Sequence, residues 1–437
     1  MDISIIGLGK LGLCTAACFA AAGHKVFGYD LNDHFRTELK VRRNPIDETG
    51  LTELLETAWD NLYIVDDYAT AVNSSEATLI IVPTPSLPDG SFTNQYLIKA
   101  LEELAPTLKQ KADFHIVDIV STVMPGSCDK VFTPLLEQAT GKIIGKELGL
   151  VYNPEFIALG SVIHNFLNPD MVLIGTSDLR SSAAIQELYS STCRSNPVMS
   201  VMSLINAEIA KISLNCYVTM KISYANGLTA LCENVPGADV DIITAAIGAD
   251  TRVGSKYLKG GLGFGGPCFP RDNLAFQAFA EEFGQDAILG KAVVAINSSV
   301  PERIFNKITS YCTAPAEVTL LGLSYKACTH IIEESQSIML AQLLVKAGYK
   351  VKLHDPKAID ISKSILGSSA EHFDDVYAAT TGSKVIVLLT DWPEYKDLDW
   401  SRISKAAATK ALIVDSWRVT IESMLSCFEY YHLGIGK

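Results

Sequence analysis

Apolar and polar positions alternate along this chain in blocks that predict strands and helices in turn. Ile3-Ser-Ile-Ile6 reads as a buried strand and leads directly into Gly7-Leu-Gly-Lys-Leu-Gly12. A small-residue helix from Leu13 to Ala22 stops at Gly23, and a second strand, Lys25 to Tyr29, ends at Asp30. Further strands are expected at 62–65, 78–82, 115–120 and 172–174. From about Ser203 to Glu233 there is no proline and only Gly227 interrupts the pattern, which predicts one long helix. After about Ser310 the alternation resumes, with strands at 318–323, 350–354, 384–390 and 411–415 and a helix from Gln336 to Ala347. The fold class is therefore α/β: two Rossmann-like, doubly wound domains joined by a long central helix. The domains are expected at residues 1–198, 199–305 and 306–437.

Composition narrows what such a chain can do. Its 437 residues, 48% hydrophobic and 19% charged, describe a globular protein with ample core and more than one domain. A formal net charge of −13 argues against nucleic acid as a partner. No uninterrupted apolar stretch is long enough for a bilayer, and no N-terminal signal stands out, so neither a membrane nor an export route is expected. The ten cysteines include no C-x-x-C pair. That spacing excludes the usual zinc sites, predicts no metal, and fits reduced thiols in a cytoplasmic protein.

The first glycine cluster sits between a strand and a helix, with an acid at the end of the next strand. This is the context in which G-x-G-x-x-G binds a dinucleotide. Gly7 makes the turn, Gly9 admits a pyrophosphate and Gly12 lets helix and strand pack; Lys10 and Leu11 lie inside this phosphate loop, and the N-terminus of the helix that follows faces the phosphates. Asp30 stands where a ribose-binding carboxylate belongs and would repel a 2′-phosphate, so NAD is expected rather than NADP. Thr84 and Thr122 follow later strands, at the carboxyl edge where ligands bind such sheets; turn capping is an equal reading of both.

Two further features carry chemistry. On the long helix, Glu208, Lys211 and Asn215 share one face within a largely apolar sequence. A solvated polar stripe is the plain reading, and a lysine poised for an anionic substrate is the sharper one. Downstream, Gly263-Phe-Gly-Gly-Pro-Cys-Phe-Pro-Arg-Asp272 places Cys268 in a glycine-rich loop with a carboxylate four residues on. A tight turn around a structural thiol and a nucleophile in an active site both satisfy that loop.

Taken together, Gly7 to Gly12, Val82-Pro-Thr-Pro85, Ser121-Thr-Val123, Asn153-Pro-Glu-Phe156, Glu208-Ile-Ala-Lys211 with Asn215, Gly263 to Asp272, Gly322-Leu-Ser-Tyr-Lys326 and Thr390-Asp-Trp392 resemble the UDP-glucose/GDP-mannose dehydrogenase family nearly end to end. The resemblance implies oxidation of a nucleotide-hexose primary alcohol to the carboxylate with two NAD. Cys268 would be the nucleophile, passing through a thiohemiacetal and a thioester. Lys211 and Asn215 would stabilise oxyanions, Asp272 would order or deprotonate water, and Thr122 and Glu155 would assist. Lys211 would also lower the pKa of the thiol. Arg271 would join the cofactor contacts. Arg252, Tyr257, Leu258, Lys259, Gly260, Gly261, Gly265, Lys326 and Arg418 would meet the nucleotide sugar, with Glu155, Lys211 and Asn215 at its reacting end. Arg252 resembles an arginine lent to a neighbouring subunit, which implies a homodimer or larger homo-oligomer.

Pro267 stands just before the cysteine, where the N-acetylhexosamine branch usually carries histidine, so a UDP-hexose is the first expectation. UDP-glucose is favoured, its product UDP-glucuronate feeding polysaccharide biosynthesis, with GDP-mannose second. Two positions depart from the family pattern: Leu159 replaces a glutamate, and Glu333 replaces an arginine that meets the NAD pyrophosphate. A carboxylate there is repulsive by about 1 kcal/mol or more; Lys10 in the phosphate loop is either a compensating charge or a plain solvated lysine. A nucleotide-sugar binding module with impaired turnover and a single-step hydroxyacid-type dehydrogenase are the alternatives.

Overall fold

The structure is a computed structural model that describes residues 1–420 and 426–436. It divides into two compact units, Met1–Ser213 and Leu214–Lys437. The long helix, Leu204–Cys232, runs through the division without a break. Among the described residues, no helix is long and apolar enough to cross a membrane.

In the first unit the strands are β1 (Asp2–Ile6), β2 (Lys25–Tyr29), β3 (Leu62–Ile64), β4 (Ala77–Ile80), β5 (His115–Ile119), β6 (Leu148–Tyr152), β7 (Met171–Thr176) and β8 (Val198–Met202). They lie in the order β3-β2-β1-β4-β5-β6-β7-β8. Pairing is parallel from β3 to β6; β7 then runs antiparallel to β6, and β8 parallel to β7. The order reverses between β1 and β4, so the loops after those two strands diverge and leave a crevice at their carboxyl ends. The glycine loop, which follows β1, and Thr84, which follows β4, both sit at that edge.

The second unit carries β9 (Glu317–Leu321), β10 (Lys350–His354), β11 (Glu371–His372), β12 (Val385–Leu388), β13 (Leu412–Asp415) and β14 (Glu429–His432), all parallel, in the order β11-β10-β9-β12-β13-β14. The expected architecture of two Rossmann-like sheets and a long helix is thus present. Four strands lie outside the expected set, and each has a weak sequence signal. β8 is a half-exposed edge (Val-Met-Ser-Val-Met), β11 is two residues long, and β14 begins on an exposed glutamate. β6 is fully buried, in a glycine-punctuated stretch.

The two sheets use one device twice. Gly7 and Gly322 each hold φ at +96°, and each donates its N–H to the last carbonyl of the next strand at 2.8 Å, Tyr29 in one and His354 in the other. The aspartate that follows closes the loop in both. Asp30 Oδ2 accepts from Leu8 N at 2.6 Å, and Asp355 Oδ2 accepts from Leu323 N at 2.7 Å. They differ in what else they hold. Asp355 is buried and also takes Ser324 N–H and O–H and the indole N–H of Trp392, whereas Asp30 is only partly buried. The first unit therefore keeps a carboxylate edge open to a ligand, and the second fills it with its own side chains.

Candidate active site

The glycine loop of the first unit fits a dinucleotide phosphate group. A Cβ on Gly7 would lie 2.2 Å from Ile81 O, and one on Gly12 only 1.8 Å from Gly7 O, so both positions need glycine to pack. At Gly9 a Cβ would meet nothing within 4 Å among the described residues. That is the open space a pyrophosphate requires. Helix Lys10–Ala21 begins there with no side-chain cap and no acid in its first turn, leaving its leading N–H groups and partial positive charge for an anion. Lys10 and Leu11 are partly buried in that first turn. Asp30 Oδ1 accepts from Asn32 N at 2.8 Å. Its carboxylate therefore braces the loop and retains acceptor capacity for a ribose hydroxyl. Buried Thr84 donates to Thr122 O at 2.7 Å, tying the turns after β4 and β5 together.

Glu208, read from sequence only as part of a polar stripe, has a structural task. It is fully buried, and its two oxygens accept Gly126 N–H at 2.6 Å and Cys128 N–H at 2.8 Å. This fixes the stretch after β5 that carries Thr122. One turn further on, Lys211 is 6% exposed, donates to Glu155 O at 2.5 Å and lies 4.3 Å over the Phe156 ring. The lysine is held in an aromatic, largely dry setting, not on a solvated face. Burial pushes the Glu155 carboxyl up to about 7, against the Tyr189 hydrogen bond and the charge of Lys211, which both pull it down. The Tyr189 hydroxyl donates to Glu155 Oε1 at 2.6 Å, a contact with no local sequence signal because 34 residues separate the pair. Leu159 packs on the apolar core of this unit.

In the second unit the Cys268 loop is fixed by close packing. A Cβ on Gly265 would come within 2.4 Å of Glu334 O, and one on Gly266 within 2.7 Å of the Tyr325 ring. Gly263 N–H donates to Gln336 Oε1 and Phe264 N–H to Asn297 Oδ1. The loop ends at Cys268, the N-cap of helix Phe269–Glu282, with a proline in the first turn. Cys268 is exposed and stands at the N-terminus of that helix. Asp272 lies one turn on, 1% exposed, accepting from Asn215 Nδ2 at 2.6 Å and facing Arg271 Nε at 3.4 Å. Cys216 gives the contrast. It lies against Asp272 O, and burial together with the Asp272 charge pushes its thiol up to about 12, so it stays protonated.

The remaining expected substrate residues fall into separate places. Gly260 and Gly261 pack tightly on Thr229 and on the Trp417 ring, and Lys259 Nζ lies 5.8 Å over that ring. Tyr257 is exposed with φ at +63°, Leu258 is buried, and Lys326 Nζ lies 5.8 Å over Tyr325. Arg252 is largely exposed and pairs with its neighbour Asp250 at 2.6 Å. Arg418 is tied up within the protein. It pairs with Asp241 at 2.6 and 2.8 Å and donates to Gly260 O and Leu433 O at 2.7 and 2.8 Å. With its guanidinium so engaged, Arg418 locks the Gly260 turn to the sheet. Trp417 and Asp241, which shape this corner, carried no motif that sequence reading could use.

Residues 1–193 match the NAD binding domain of the UDP-glucose/GDP-mannose dehydrogenase family, 205–299 its central domain and 319–422 its UDP binding domain. The chain belongs to this family. It is 35% identical to UDP-glucose 6-dehydrogenase AglM of Haloferax volcanii over 91% of this chain and 93% of that protein. It is 31% identical to UDP-glucose 6-dehydrogenase TuaD of Bacillus subtilis over 100% of this chain and 93% of that one. The structure of a UDP-glucose dehydrogenase from Pyrobaculum islandicum superposes with a TM-score of 0.90 at 31% identity, covering 99% of this chain and 98% of that one. The protein is accordingly an NAD-dependent oxidoreductase with nucleotide-sugar dehydrogenase activity, and its open glycine loop suits that cofactor.

Proposed function

We propose that this dehydrogenase oxidises the primary alcohol of UDP-glucose to the carboxylate of UDP-glucuronate, in two steps through Cys268. The observation that carries the reading is an exposed thiol at a helix N-terminus, with a buried carboxylate, Asp272, one turn on and held by Asn215. NAD, when bound, supplies the hydride acceptor for both oxidations. The protein's own part begins at the aldehyde. The Cys268 thiolate attacks the carbonyl carbon, a C–S bond forms, and the oxygen takes up the negative charge. Lys211 and Asn215, one turn apart on the long helix, stabilise that oxyanion. After the second oxidation the carbon is a thioester. Asp272 takes a proton from water, the hydroxide adds to the carbon, and the thiolate leaves as the carboxylate forms. Glu155 and Thr122 assist at the sugar, and the turn from Tyr257 to Gly261 with Lys326 receives the nucleotide.

UDP-glucose is favoured over GDP-mannose and UDP-N-acetylhexosamines because the relatives above bear its name and because Pro267 precedes the cysteine. Counting NADH per substrate consumed tests the reading. Two equivalents are expected. One would make the protein a single-step dehydrogenase, and none a binding module.

The active assembly is proposed to be a homodimer through the long helix. Tyr217, Tyr224 and Leu231 are 54%, 54% and 60% exposed at seven-residue spacing, an apolar seam on one face. Sedimentation should give twice the chain mass for the wild type and a monomer for the Tyr217→Glu/Tyr224→Glu double variant. A monomeric, fully active wild type would remove both the dimer and the role of Arg252 across it.

A further inference from the structure

The first unit holds a buried group that the proposed chemistry leaves unused. Tyr189 comes from helix Leu179–Thr192 and is 2% exposed. Its ring lies edge-on to Phe19 at 5.6 Å and tilted to Phe166 at 5.7 Å, so packing fixes the direction of the hydroxyl. That hydroxyl is aimed at a single carboxylate oxygen, Glu155 Oε1. Beside the pair lies a cavity of about 20 Å³, lined by Asn153, Glu155, Asn165, Met171 and Tyr189 among others. This is room for one water, for which roughly 10–15 Å³ suffices. Asn153 is 1% exposed and gives its Nδ2 to Leu173 O, while its Oδ1 has no hydrogen-bond partner among the described residues. A buried acceptor left unpaired is costly, and a water lodged in this cavity satisfies it.

We propose that Tyr189 is a positioning residue for the reaction: its hydroxyl, with one water held against Asn153, fixes the orientation and protonation state of the Glu155 carboxyl. The assignment rests on the role given to Glu155 above. Five groups bear on that carboxyl from the surrounding elements. Tyr189 donates to it and Lys211 adds positive charge. Asp118, Cys18 and Cys193, each coupled to it electrostatically, are held neutral chiefly by burial. The Lys211 ammonium is also hydrogen-bonded to the Glu155 carbonyl. Tyr189 is a direct handle on the carboxyl. Its hydrogen bond favours the ionised form, so losing it must raise the carboxyl's pKa.

Tyr189→Phe keeps the ring packing and removes only the hydroxyl. In this variant the acidic limb of the kcat profile for NADH formation should move up by about one pH unit. That is about a tenfold loss of rate on that limb, with the rates converging at high pH and KM little changed. In a Glu155→Gln background the same change should leave the profile where it was. Infrared titration of the protein without substrate separates this proposal from the substrate assignment. The wild type should show a protonated carboxyl band that titrates near neutral pH and is missing from Glu155→Gln, and in Tyr189→Phe it should titrate higher. Superimposable kcat profiles, an unmoved infrared titration, or a wild type in which Glu155→Gln removes no titrating band would each overturn the proposal, the last without any Tyr189 variant.

Discussion

Cys268→Ala is expected to abolish formation of the acid, lowering its rate by about three orders of magnitude or more, on the scale seen when a covalent nucleophile is removed. The variant should fold normally, because the thiol is exposed and the loop is held by Gly263, Gly265, Gly266 and their partners. Consumption of UDP-glucose and yield of acid, followed together by chromatography, give the measurement. Without the thiol no thioester forms, so any first oxidation stops at the aldehyde. Acid produced at the wild-type rate would rule out the covalent route and return Cys268 to a structural role. Cys216→Ala is the matched control. That thiol is kept protonated beside Asp272, and its loss should leave the stoichiometry of two NADH unchanged.

Asp118→Val should stabilise the protein, with the size of the gain set by pH. Asp118 lies in the middle of β5, wholly buried, and neither carboxyl oxygen has a hydrogen-bond partner among the described residues. By strand alternation it shares a face with Ile116 and Val120, in the apolar core of the first unit. Burial, and secondarily the charge of Glu155, drive its pKa well above the ordinary carboxylate value. In the unfolded chain it ionises near 3.8, while in the folded protein it keeps its proton to a much higher pH. Folded protein therefore binds more protons than unfolded protein above about pH 4, and wild-type stability falls as pH rises from there toward the folded pKa. The valine variant lacks that slope. Removing an unsatisfied buried polar group should add about 1–3 kcal/mol at neutral pH. For a unit of this size that is a melting temperature higher by roughly 2–4 °C per kcal/mol. Thermal melts from pH 4 to pH 8 should show the two proteins diverging as pH rises. A constant difference, or a less stable variant, would show that the carboxyl is satisfied in solution.

Legibility in the sequence followed the range of the interactions involved. The glycine loop, its helix and Asp30 are local, because turn, cap and alternation are all encoded within about thirty residues. The strands of both sheets were readable where β-branched and aliphatic residues run together or alternate with polar ones, as in β12 and β10. They were not readable where an edge strand is half-exposed, as in β8 and β14, or two residues long, as in β11. Glu208, Lys211 and Asn215 could be placed on one helix face by spacing, but spacing could not tell their tasks apart. The structure divides them: Glu208 anchors the turn after β5, Lys211 sits on Phe156 and the Glu155 carbonyl, and Asn215 holds Asp272. Arg418 shows the opposite limit. The family resemblance implies that it meets the nucleotide sugar, and its pairing with Asp241, 177 residues away, leaves no trace in the local sequence.

By itself the sequence determined the fold class, the NAD loop and the presence of one cysteine in a glycine-rich turn, because each is written in neighbouring residues. Only the tertiary structure decided which of those residues stay open to a ligand. The open carboxylate edge at Asp30 and the filled one at Asp355 share a local pattern and differ through Trp392, which is distant in sequence. The same holds for the thiols. Cys268 and Cys216 are the same residue type, and what separates them is a helix N-terminus and exposure in one case, burial beside a carboxylate in the other. Solvent access and electrostatic surroundings are set by chain segments far apart in sequence, and no local pattern records them.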